Sequence, residues 1–76
     1  MYLVEYLDGD IWHPITGSVV DSIDYCIKYA DNYSIINNKI CRVINMFKSL
    51  ILPEEFCVLY YCDHTKFNLN WKKIGF

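Results

Sequence analysis

What this chain of 76 residues has little of narrows its reading first. It contains three glycines and two prolines. That leaves no flexible or Pro-rich linker, and none of the Gly-rich turns that usually cradle phosphates. No fixed-period repeat and no low-complexity segment is visible. No apolar run approaches the roughly 20 residues that a membrane-spanning helix needs, and the amino terminus is acidic where a secretory leader would be basic. A cytoplasmic protein that does not use a membrane is expected. Charge of either sign is also scarce: a net −2 is too small an excess for a DNA mimic and the wrong sign for a general nucleic-acid binder.

Bulky apolar groups are abundant. With 54% hydrophobic and 17% aromatic residues the chain is too rich in core material to stay disordered. Its length fits one domain, residues 1–76, burying only about 60% of the unfolded surface, so stability is marginal. Residues 1–38 carry six acids against Lys28 alone, whereas residues 39–76 carry six bases against three acids. The two halves are expected to attract each other within one fold. Heavy use of Ile, Asn, Lys and Tyr beside scarce Ala and Gly is what A/T-rich coding produces. In a chain this short, that suggests an accessory product of a virus, phage or other mobile element.

Tyr2–Leu7 and Ile11–Ile15 flank Asp8-Gly9-Asp10, which predicts a β-hairpin whose second strand ends, or lies on an edge, at Pro14. From Ser18 to Asp31 the pattern is helical. Ser18 and Asp21 resemble a capping box, with Val19, Ile23, Cys26, Ile27 and Ala30 on an apolar face and Asp21, Asp24, Lys28 and Asp31 opposite, and the end falls near Asn32–Ser34. Residues 40–52 fit one helical face, but their β-branched content and short apolar runs favour strands at Cys41–Ile44 and Leu50–Leu52. Phe56–Tyr61 reads as a strand buried on both faces, although Pro53-Glu54-Glu55 also suits a helix start. Phe67, Leu69 and Trp71 alternate with Lys66, Asn68, Asn70 and Lys72 as in a half-buried strand. The fold class is α+β: an N-terminal hairpin and one amphipathic helix on a mostly antiparallel sheet, ββαββ with further C-terminal strand.

Chemistry is harder to find. Cys41, Cys57, Cys62 and His64 supply zinc-ligand types, but Cys57-x₄-Cys62 lies inside a bulky apolar run instead of a tight knuckle. On a regular strand those two cysteines face opposite sides, while Cys62 and His64 share one. Buried free thiols are the favoured reading, with no disulfide framework because nothing marks secretion. Asp8, Asp10 and His13 form an acidic cluster with a histidine, but aspartates favour hairpin turns for their own backbone bonding. A nucleophilic pair of Cys62 and His64 lacks an electropositive, open setting and an oxyanion site. Neither an enzyme nor a cofactor is expected.

Binding remains. Trp12 and the helical row Tyr25, Tyr29, Tyr33 are candidate interface anchors, unless the row covers a sheet edge. The leading expectation is a non-enzymatic factor that binds, and inhibits or modulates, a host protein, with self-association also reasonable. The alternatives are single-stranded nucleic-acid binding through Lys66, Trp71, Lys72 and Lys73, and a structural zinc domain.

Overall fold

The computed structural model describes residues 1–15, 17 and 19–65. Strands β1 (Tyr2–Asp8), β2 (Ile11–Pro14), β3 (Ile40–Asn45) and β4 (Val58–Asp63) form one sheet in the order β2-β1-β3-β4, with every neighbouring pair antiparallel. Among the described residues one α-helix, α1 (Ile23–Asn37), packs across β1, β3 and β4. The expected α+β class and the ββαββ order hold. The strand expected at 66–72, with its nucleic-acid candidates Lys66, Trp71, Lys72 and Lys73, lies outside the described residues.

The hairpin follows from its turn. Asp8 pairs with Ile11, leaving Gly9 and Asp10 as a two-residue loop in which Gly9 takes a positive φ of 63°. Only glycine adopts that conformation without steric cost at the first loop position. Pro14, which lacks an amide donor, ends the edge strand β2 as its chemistry requires.

The helix starts later than the sequence pattern suggests. Val20 pairs with Tyr2 through two backbone hydrogen bonds (2.8 and 3.1 Å), so Val19 and Val20 extend beside the sheet and Val19 stays exposed. Ser22 is the cap: its backbone is extended and its side chain accepts the Tyr25 amide at 3.2 Å. The helix also runs on to Asn37, where Asn38, in the left-handed conformation, donates its amide to the Ser34 carbonyl. Ser22→Ala is expected to cost about 1 kcal/mol, read as a lower urea midpoint with an unchanged slope.

Two further expectations need correction. Leu50–Leu52 is not a strand. β3 leads instead into short 3-10 turns at Lys48–Leu50 and Glu54–Phe56, so the Pro53 step opens a turn as the helix-start reading allowed. Nor is the 56–61 stretch buried on both faces: β4 is an edge strand on which Leu59 and Tyr61 are exposed. Between Val43 and Ile44 the register shifts, pairing Val43 with Tyr60 and Ile44 with Val58, and Leu59 is the extra residue of the bulge.

The core lies between helix and sheet and is built from Val4, Ile15, Cys26, Ala30, Cys41, Val43 and Cys62. Cys26, Ala30 and Ser34, one helical turn apart and all small, let the helix sit close to the strands. All four cysteines are free and buried. Charges from the two halves meet on the sheet: Glu5 lies opposite Arg42 in register and accepts its Nε at 2.8 Å, and Lys39 reaches Asp8 at 3.5 Å.

Candidate functional site

Three side chains of different donor chemistry converge where the end of β4 meets the helix. Cys62 and His64, two residues apart, face α1 together, and Asp31 projects from the helix toward them. Their ligand atoms all lie within 4.8 Å of one another. His64 Nε2 is 3.0 Å from Asp31 Oδ1, and the Tyr60 hydroxyl donates to the same oxygen at 2.8 Å. The buried Ser34 hydroxyl oxygen accepts the His64 backbone amide at 3.1 Å, which fixes the strand end against the helix. Access is one-sided: the Asp31 and His64 side chains are 34% and 33% exposed, while Cys62 is 6% exposed.

The electrostatics disfavour nucleophilic catalysis here. Burial, reinforced by the Asp31 charge, pushes the Cys62 thiol up to about 11, whereas an attacking thiolate needs the opposite shift. The cross-strand neighbour Cys41 is pushed up to about 12, by burial first and then by Cys62 and Asp31. Burial alone would raise Asp31. Hydrogen bonds from His64, Tyr60 and Cys62 outweigh it and hold the carboxyl below its ordinary range.

The four zinc-ligand candidates therefore divide. Cys62 and His64 come together as their spacing implied. Cys41 is buried behind them with Sγ 3.9 Å from the Lys39 carbonyl, and Cys57 sits beyond the other end of β4, its thiol 3.4 Å from the Pro53 carbonyl oxygen. Asp31 was missed because helical periodicity placed it on the solvent face; its i to i+3 relation to Ser34, which touches the same strand end, was the available signal. Asp8, Asp10 and His13 do not gather. Asp8 pairs with Lys39, Asp10 is exposed in the turn, and His13 stacks on Tyr6 with centroids 5.2 Å apart.

The interface candidates also separate. Tyr25, Tyr29 and Tyr33 form a ladder that continues through Tyr6 to His13. Tyr29 and Tyr33 pack on the core, so the row covers the helix flank and the sheet, and only Tyr25, 51% exposed, faces outward. Trp12 lies on the opposite sheet face, where the Arg42 guanidinium sits 4.1 Å from its ring centroid and Tyr61 meets it edge-on.

A segment rich in exposed apolar side chains covers part of that second face. The β3–β4 connection folds over it, anchored by Cys57 and by an ion pair from Arg42 to Glu54, above a groove of about 390 Å³ lined by Leu3, Glu5, Arg42 and Leu52. The connection turns its own apolar side chains outward: Leu50 and Ile51 are each 81% exposed, Phe47 66% and Phe56 61%. Sequence reasoning missed this surface by assigning Leu50–Leu52 to a strand. No protein-family model, no curated protein and no solved structure matches the chain.

Proposed function

We propose that the chain is a non-catalytic protein-binding module whose docking surface is the β3–β4 connection, residues 46–57. The observation that carries this reading is the outward turn of Phe47, Leu50, Ile51 and Phe56 from a loop whose base is held by Arg42, Glu54 and Cys57. Burying exposed apolar side chains is favourable at about 25 cal/mol per Å², and exposed apolar patches rimmed by polar groups mark interaction sites. Charge supports a protein over a nucleic acid or an anionic membrane, because the chain holds nine acids against seven bases, and two of the bases, Lys39 and Arg42, are already paired with acids. The partner fitting this surface presents an apolar pocket with a neutral or basic rim. A host protein bound by a small viral or phage factor is one such partner, consistent with the A/T-rich coding style.

The test is the double substitution Leu50→Asp with Ile51→Asp. Both side chains are exposed, so folding stability is expected to change by no more than about 0.5 kcal/mol, while affinity for the partner falls by about thirtyfold or more, the loss of a hot spot. Unchanged partner affinity would move the docking surface elsewhere, and flotation of the wild-type protein with neutral vesicles would replace the protein partner by a lipid surface.

A further inference from the structure

We propose that Asp31, Cys62 and His64 form a three-ligand site for a borderline-soft divalent cation, with Zn²⁺ as the fitting occupant and solvent supplying the fourth position. This site lies on the helix side of the sheet, away from the apolar loop, and does not depend on the docking role.

One carboxylate oxygen, one thiol sulfur and one imidazole nitrogen, from a helix and a strand, already lie within 4.8 Å of one another. A tetrahedral ion with bonds of about 2.0 to 2.3 Å spaces its ligand atoms roughly 3.5 Å apart, so small rotamer adjustments close the site. Sulfur and nitrogen beside one carboxylate select zinc over magnesium or calcium, which take oxygen ligands. The supporting contacts resemble those around bound zinc. Tyr60 donates to the liganding carboxylate, and Ser34 holds the His64 backbone. Half-exposed Asp31 and His64 give the ion an entry path, while buried Cys62 forms the floor.

Binding balances simply. The proton that His64 Nε2 shares with Asp31 moves to Nδ1, freeing Nε2 to ligate, and the Cys62 thiol releases its proton to solvent as the Zn–S bond forms. No electron is transferred. Cys41 stays outside the set because its sulfur is turned toward the Lys39 carbonyl.

The experiment titrates the reduced, chelator-treated full chain with Co²⁺, a spectroscopic substitute for Zn²⁺, and then displaces it with Zn²⁺. One Co²⁺ per chain is expected, with tetrahedral d–d bands and a sulfur-to-metal charge-transfer band that Zn²⁺ abolishes and Mg²⁺ does not. Cys62→Ser should remove the charge-transfer band and Cys57→Ser should leave it. His64→Ala, at a side chain 33% exposed, should weaken binding by more than about tenfold with an unchanged far-UV circular dichroism spectrum. Absence of saturable binding, a charge-transfer band that survives Cys62→Ser, one that disappears in Cys57→Ser, or unaltered affinity in His64→Ala would each overturn the site. Partner binding by the Leu50→Asp, Ile51→Asp protein reads a different surface, so the two proposals fail separately.

Discussion

Arg42→Ala is expected to destabilise the domain by about 3 to 5 kcal/mol, the cost of leaving a buried charge without its counter-ion. The Arg42 side chain is 10% exposed and that of Glu5 13%. The guanidinium spends its donors on Glu5 and Glu54 while its flat face lies on the Trp12 ring. Truncation strands the Glu5 carboxylate, removes the cation from the indole, and releases the Glu54 anchor of the β3–β4 connection. Against the roughly 5 to 15 kcal/mol that typically separates folded from unfolded domains, about 3 to 5 kcal/mol is a large share of the whole. Arg42→Lys rescues little, since an ammonium has no planar fork to bridge two carboxylates and stack on a ring. Glu54→Gln, at a side chain 63% exposed, costs no more than about 1 kcal/mol. Urea unfolding of the three variants separates the contributions, and an Arg42→Ala loss no larger than that of Glu54→Gln would show that the buried pair carries no weight. Replacing Arg42 by Met and Glu5 by Leu together should recover most of the stability, because two apolar groups need no counter-charge.

The second large effect is alkaline. Burial pushes the Cys41 thiol from 9.0 up to about 12 and Cys62 up to about 11, and the hydrogen bond to Asp31, with burial, pushes Tyr60 up to about 12. In the unfolded chain these groups lose their protons first. The stability they lend is therefore fully present below pH 9 and declines as pH rises from there through the folded values. A tenfold difference in proton affinity is worth about 1.4 kcal/mol, so Cys41 alone accounts for a loss on the order of 4 kcal/mol. Urea midpoints in chelator should hold steady from pH 7 to 9 and then fall steeply, with a shallower fall in Cys41→Ala after its own constant cavity cost. Equal slopes for wild type and Cys41→Ala would show that the thiol is less buried than the structure has it.

Local chemistry explains which features were legible in the sequence. The Asp-Gly turn and the Pro14 stop point directly to the hairpin, because those residues act through their own backbone. Cys26 and Ala30 mark the buried helix stripe, and the Cys62 and His64 spacing puts both on one face of β4. What failed depended on partners distant in sequence. Ser18 looks like the cap, and Ser22 takes that place because Val20 pairs with Tyr2, a contact 18 positions away in the chain. Leu50–Leu52 looks like a strand by composition, but Arg42, Glu54 and Cys57 fasten the segment as a loop, so its apolar side chains face outward. Asp31 looks like a solvent-facing residue until β4 arrives beside the helix.

The claim on which the functional account rests is that the 46–57 connection is a binding surface and not part of the core. The most direct measurement is the affinity of the partner, isolated on the wild-type protein, for the folded Leu50→Asp, Ile51→Asp double variant. The account predicts a variant that unfolds at the wild-type urea concentration and binds that partner at least about thirtyfold more weakly. A variant that no longer folds, or one that binds the partner as tightly as the parent chain, would contradict it.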